Sequence, residues 1–168
     1  MIYPTLTSIP DNADVLLDAN IFIYAFAQKS SECLDLLKRC ANEEVVGITT
    51  LEVVNEATHR LMLAEALDKG FITKGTADQL KKQRAKIPSL TNYWTSVSTI
   101  FQMNLLVLES DKQRLYQAHN IRSQYGLLTN DSLIIAAAME YGIKLLATND
   151  TDDMGTIPMI SIYKPSDI

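Results

Sequence analysis

Short apolar runs alternate with stretches of helical spacing along this whole chain, and that alternation restricts the fold more than any other feature. The first run, Val15-Leu16-Leu17, stops at Asp18, after which Ile21, Phe22, Ala25 and Phe26 share one helical face as far as about Gln28. Val45–Thr49 leads into a helix from about Leu51 with Val53, Val54, Ala57 and Leu61 on one side. Leu105–Leu108 precedes a helix over 111–125, and Lys144–Thr148 is followed by a last apolar run at Met159–Tyr163. Runs this short and this apolar suit strands buried on both faces, and strands that alternate with helices build a parallel sheet. The expected fold is α/β, a three-layer α/β/α arrangement around a five-stranded parallel sheet.

The remaining helices carry their own end signals. Ser30 or Ser31 caps a helix with Glu32 in its first turn and Lys38 and Arg39 in its last, matching the helix dipole. Its core stripe is expected at 33, 34, 36, 37, 40 and 41. Leu90–Gln102 reads as helix with Trp94, Val97 and Phe101 on one side, where packing is the expected role of Trp94 and the tyrosines. Gly126 and Gly142 end two helices as left-handed residues. Between them, Thr129 or Asn130 caps Asp131–Tyr141, whose Leu133–Met139 core is apolar all round and so belongs between layers.

Composition bounds the partners. The 168 residues suit one domain with a sizeable core, here 1–168. A net charge of −5 provides no global field for nucleic acid, so such a partner must be held locally or through a metal. Residues 64–88 depart from the rest: six Lys and Arg against three acids leave +3 there and −8 elsewhere. Gly70, Gly75 and Pro88 punctuate this helical excursion, which is either a solvated helix pair or a surface for a partner or nucleic acid. Cys33 and Cys40, about 10 Å apart along one helix, are too far for a disulfide within it and fit a reducing cytoplasm. The longest apolar run, Leu133–Met139, is far short of a membrane span.

Parallel strands bring their carboxyl ends to one edge, and four acids fall near that edge on this layout. They are Asp18 after the first strand, Glu56 on the helix after the second, Asp131 in the first turn of the buried helix, and Asp150 after the fourth strand. Each also has a purely structural reading. Asp18 suits an N-cap, Glu56 a pair with Arg60, Asp131 the helix dipole, and Asp150 an Asx-turn. Gathered in one crevice, they repel unless a cation or protons neutralise them. Oxygen ligands alone favour Mg²⁺ or Mn²⁺ over zinc, and carboxylate-held divalent ions serve phosphodiester hydrolysis.

Four stretches match a known family in its order: Leu16–Tyr24, Thr49–Ala57, Asn130–Met139 and Ala147–Asp150. Through them the chain resembles the PIN domain, the nuclease family that includes VapBC-type toxins. The resemblance implies the strand order 3-2-1-4-5 and a Mg²⁺- or Mn²⁺-dependent ribonuclease. Asp18, Glu56, Asp131 and Asp150 match the acidic tetrad, and Asn20 and Thr148 the supporting polar positions. It further implies an RNA substrate, an antitoxin partner and a homodimer. Glu56, followed by Ala57, fits the second acid better than Glu52, which is expected to face solvent. Asp153 stands behind Asp150. Thr50 and His59 are further candidates to touch a substrate phosphate, and His119 has no constellation around it. Two rivals remain. A HAD-like phosphatase needs an acid two residues after Asp18, where this chain has Asn20; a non-catalytic PIN-like binding module needs no assembled site.

Overall fold

In the computed structural model, which describes residues 2–152 and 154–168, five strands form one parallel sheet. They are β1 (Asp14–Leu17), β2 (Val46–Thr50), β3 (Leu106–Leu108), β4 (Leu145–Ala147) and β5 (Ser161–Tyr163), in the expected order β3-β2-β1-β4-β5. β1 is central: Leu16 lies opposite Ile48 on one side and Leu146 on the other. Val15, Leu16 and Leu17 are fully buried because neighbouring strands and the helical layers leave no free face. Burying a side chain of this size stabilises the fold by about 1.5–3 kcal/mol.

The described residues form seven α-helices, all but the fourth in the layers about the sheet: α1 (Ala19–Phe26), α2 (Ser31–Ala41), α3 (Leu51–Asp68), α4 (Ala77–Lys82), α5 (Asn92–Gln102), α6 (Lys112–Tyr125) and α7 (Thr129–Tyr141). Gly126 and Gly142 end α6 and α7 at φ 73° and 69°, as their sequence positions predicted. Ser132 through Ala138 on α7 are all buried, in keeping with its apolar circumference. Both cysteines are free and buried in α2, and burial pushes each thiol up to about 11.

Several boundaries and faces differ from expectation. β2 is displaced by one residue to Val46–Thr50, because Thr50 still pairs with Leu108 of β3; Thr49 beside it donates its hydroxyl to the Leu17 carbonyl at 3.1 Å. α7 begins at Thr129, so Thr129 and Asn130 lie in its first turn, and Leu128 holds the N-cap position without a capping side chain. Leu34 is 37 % exposed and leaves the α2 stripe. On α5 the buried positions are Val97 and Ile100, whereas Trp94 is 56 % and Phe101 50 % exposed. Val97 is buried as expected, but its neighbours on that face are Tyr93 and Ile100 rather than Trp94 and Phe101.

The basic excursion is helical but begins inside α3, which runs unbroken to Asp68. Leu63, Ala66, Ile72, Leu80 and Leu90 form a second small cluster that fastens α4 and the 3₁₀ stretch Arg84–Ser89 onto the end of α3. Glu65, 6 % exposed, ties the two together. Its carboxylate accepts from the backbone N–H groups of Thr91 and Tyr93, both at 2.9 Å, and from Lys69 Nζ at 2.7 Å. At the other end of the chain Asp167 accepts from Ser30 Oγ and from the backbone of Ser31 and Glu32, and so clasps the start of α2.

At Gly47 the backbone of β2 passes close under α2 and Leu105. A Cβ there would sit 2.4 Å from Leu105 Cδ2 and 2.7 Å from Cys40 Sγ. Gly47→Ala should therefore destabilise the protein by about 1–3 kcal/mol through overpacking, read as a lowered midpoint in urea with an unchanged slope.

Candidate acidic site

β1 ends at Leu17, and the next residue turns the chain into α1. Asp18 sits in extended conformation at the N-cap, 7 % exposed, and accepts from Ala19 N at 2.6 Å. The capping reading and the site reading therefore both hold for this residue. Its second oxygen accepts from Thr148 Oγ1 at 2.6 Å and from the Asn20 amide. Thr148 comes from the end of β4, beside β1, and is fully buried. Its hydroxyl also accepts from Asn20 Nδ2 at 3.0 Å and from Asp150 N at 2.9 Å. Asn20 in turn accepts from Asn149 N at 3.0 Å. Two strand ends are thus laced together around one carboxylate.

That carboxylate opens on a cleft of about 310 Å³ that Glu56, Asp131 and Asp150 also line, with Asn20, Tyr24, Arg60 and Asn149. Glu56, Asp131 and Asp150 continue into an adjoining recess bordered by Leu128, Thr129 and Asn130. Burial raises the Asp18 carboxyl to about 6. The hydrogen bonds from Thr148 and Ala19 pull it down, and the charges of Glu56 and Asp131 push it further up. Glu56 accepts from Asn130 Nδ2 at 3.0 Å and lies 3.9 Å from Arg60 NH1.

Carboxylate, amide and hydroxyl oxygens, with no sulfur or imidazole among the lining residues, make a hard donor set of the kind that divalent Mg²⁺ and Mn²⁺ prefer. Among the described residues no three acidic, histidine or cysteine side chains are already drawn into a metal cage. Glu56 is turned instead toward Asn130 and Arg60.

The other candidates fall elsewhere. Thr50 is fully buried and caps α3 by accepting from Val53 N at 3.3 Å, which makes it a helix cap rather than a phosphate donor. His59 is exposed and does not line the cleft, and His119 is exposed on α6. Glu52 is only half-buried, with Oε2 enclosed, so it does not face solvent freely. Asp153 lies outside the described residues. Sequence reasoning passed over Arg60, Asn130 and Asn149 as site residues. Arg60 had stood only as an ion-pair partner and Asn130 only as a cap, since helical spacing says nothing of what lies across the cleft.

A parallel α/β sheet with an acid-lined cleft at the carboxyl ends of its strands defines a class of ligand-binding fold. The model of the PIN domain family matches residues 15–155, and the chain belongs to that family. It is 26 % identical over 141 residues to Ribonuclease VapC6 of Methanocaldococcus jannaschii, covering 83 % of this chain and 90 % of the relative. Among solved structures, Mycobacterium tuberculosis VapC20, described as a toxin that cleaves the sarcin-ricin loop, superposes with TM-score 0.58 at 10 % identity over 89 % of this chain and 98 % of that one. VapBC2 from Rickettsia felis, bound to a promoter DNA fragment, gives TM-score 0.55 at 18 % identity over 90 % and 98 %.

Proposed function

We propose that this protein is a metal-dependent endoribonuclease that cuts RNA phosphodiester bonds as the toxin of a toxin–antitoxin pair. The observation that carries this reading is Asp18: a buried carboxylate held by Thr148, Asn20 and Ala19 in a cleft shared with three further acids. Its relatives by sequence and fold include a ribonuclease and VapBC toxins, which supports RNA as substrate and an antitoxin as partner. Among the described residues no helix is long and apolar enough to cross a membrane, which is consistent with work in the cytoplasm. A homodimer is the expected assembly.

Asp18 and Asp131 would hold the principal Mg²⁺ or Mn²⁺, with Glu56 and Asp150 placing water or a second ion. The bound cation supplies positive charge against which the attacking and departing oxygens are stabilised. Thr148 and Asn20 hold one oxygen of the Asp18 carboxylate and so fix its orientation at the cleft. Asn130 and Arg60 position Glu56. The buried donor network resists rearrangement when the acids gain or lose charge.

The phosphatase reading fails on the same geometry. Asn20 donates its amide to Asp18 and accepts from Asn149, and so offers no proton-transferring acid. The binding-module reading predicts no cleavage. The decisive assay is a mixed RNA pool incubated with purified protein in Mg²⁺, in Mn²⁺ and in EDTA, with Asp18→Asn alongside. Metal-dependent cutting that the variant lacks is the expected result; no cutting in either metal would overturn the reading.

Thr148→Val should lower cleavage about 10- to 100-fold while leaving RNA binding in EDTA unchanged, because it frees the Asp18 carboxylate to turn. Thr148→Ser should restore most of the loss. A variant whose RNA binding falls in parallel would show that Thr148 merely props the fold.

A further inference from the structure

The excursion carries a cluster of cations that the acidic cleft does not use. Lys81, Lys82, Arg84 and Lys86 are all exposed within six residues. Among the described residues none of the four has an ion-pair partner, whereas Lys38, Arg39, Arg60, Lys69 and Arg114 each have a carboxylate. The cluster is not a loose tail. Leu80 on one side and Leu90 on the other are buried against α3 in the second cluster of apolar side chains, so the four charges are presented on a fixed base.

Beside them lies a recess of about 230 Å³ lined by Phe71, Ile72, Thr73, Gln79, Lys82 and Gln83. Lys86 Nζ stands 5.0 Å from the centre of the half-buried Phe71 ring. Cations along a backbone track, next to an aromatic face and side-chain amides, are the elements that single-stranded nucleic acid requires. A plain acidic partner needs only the charges.

We propose that Lys81, Lys82, Arg84 and Lys86, with the Phe71 recess, form a docking arm for the phosphate backbone of single-stranded RNA; this rests on the nuclease reading of the cleft. α3 runs from the cleft to the base on which the arm is packed. From Glu56 to Asp68 it is continuous, about 18 Å at about 1.5 Å per residue. At about 3.4 Å per stacked nucleotide, roughly five nucleotides bridge that distance. RNA long enough to occupy both places is gripped by the arm and cut in the cleft. Shorter RNA reaches only one of the two at a time. The arm also answers the charge problem, since a chain at −5 otherwise repels its substrate.

The test compares the full chain with the quadruple variant Lys81→Gln, Lys82→Gln, Arg84→Gln, Lys86→Gln, all exposed positions whose thermal melt checks the fold. Binding of a labelled 20-nucleotide polyuridine is followed by fluorescence anisotropy in EDTA across a KCl series. The variant should bind at least tenfold more weakly at 100 mM KCl. Its slope of log affinity against log salt should be shallower by about 2–3, close to 0.7 for each lost phosphate contact. A four-nucleotide RNA cannot occupy arm and cleft together, so its cleavage should be alike in the two proteins, whereas cleavage of the long RNA should show a raised KM with kcat retained. Equal affinity and equal slope for the two proteins on the 20-mer would overturn the arm while leaving the nuclease intact. Arm-dependent binding without cleavage in any metal would keep the arm and sink the nuclease. Arm-dependent binding to polyglutamate but not to RNA would assign the surface to an acidic protein and overturn the proposal.

Discussion

Asp18→Asn should abolish RNA cleavage and, in EDTA at neutral pH, leave a protein that melts higher than the wild type. Several kcal/mol of transition-state stabilisation rest on the ion this carboxylate would hold, and about 4 kcal/mol corresponds to a thousandfold in rate. The stability gain has the opposite origin. Burial raises the Asp18 carboxyl to about 6, from 3.8 in an unfolded chain, so the folded protein binds this proton more tightly. The charged form therefore costs stability: nothing below about pH 4, more as pH rises, and the full amount above about pH 6. Asparagine removes that cost but places an NH₂ group near the Asn20 amide, so a net gain of about 1–2 kcal/mol is expected, or roughly 3–6 °C in Tm. The gain should vanish at pH 4. Adding Mn²⁺ should stabilise the wild type and not the variant. A variant that melts lower in EDTA at pH 8 would show that the carboxylate is a structural cap and not a strained functional group.

Glu65→Ala should produce a large loss of stability for a single polar side chain. Burial alone would raise this carboxyl, yet the Lys69 ammonium and the N–H groups of Tyr93, Thr91 and Asn92 more than offset it and hold the group down at about 2. The stabilisation is therefore present above about pH 4.5 and is lost as pH falls toward 2. Removing the carboxylate leaves the first turn of α5 without its acceptor and Lys69 without its partner. A cost of about 3 kcal/mol follows, or roughly 6–12 °C in Tm at pH 7. Amide exchange at Thr91 to Tyr93 should accelerate first, and the two proteins should converge in stability as the pH approaches 2. Equal melting at pH 7 would remove Glu65 from its place as the clasp between α3 and α5.

The difference between these two acids also explains what was legible in the sequence. Asp18 could be found because it interrupts an apolar strand at a point where topology alone creates a crevice. The same logic placed Glu56, Asp131 and Asp150 at that edge, and one cleft now contains all four. The alternation of elements pointed to a parallel sheet, and its strand order came from the family resemblance alone. Glu65 was invisible because its partners lie 26 and 28 residues further on, and no local period encodes a cap supplied from another helix. Arg114, buried against Glu140 and Ser110, escaped for the same reason. Trp94 failed differently: helical spacing fixes which residues share a face, but the neighbours that cover it decide which face turns inward, and here the core takes Val97 and Ile100.

The hydrogen bond from Thr148 to Asp18 spans 130 residues. During synthesis Asp18, Glu56 and Asp131 all emerge before β4, the strand that closes the open side of β1, so three of the four acids exist for a time on a chain that has nowhere to assemble them. A ribosome-bound intermediate short of Thr148 lacks the donor that orients the central carboxylate. Under the nuclease reading, the order of the strands delays the site: the means to cut RNA is acquired only after β4 and Thr148 have been made.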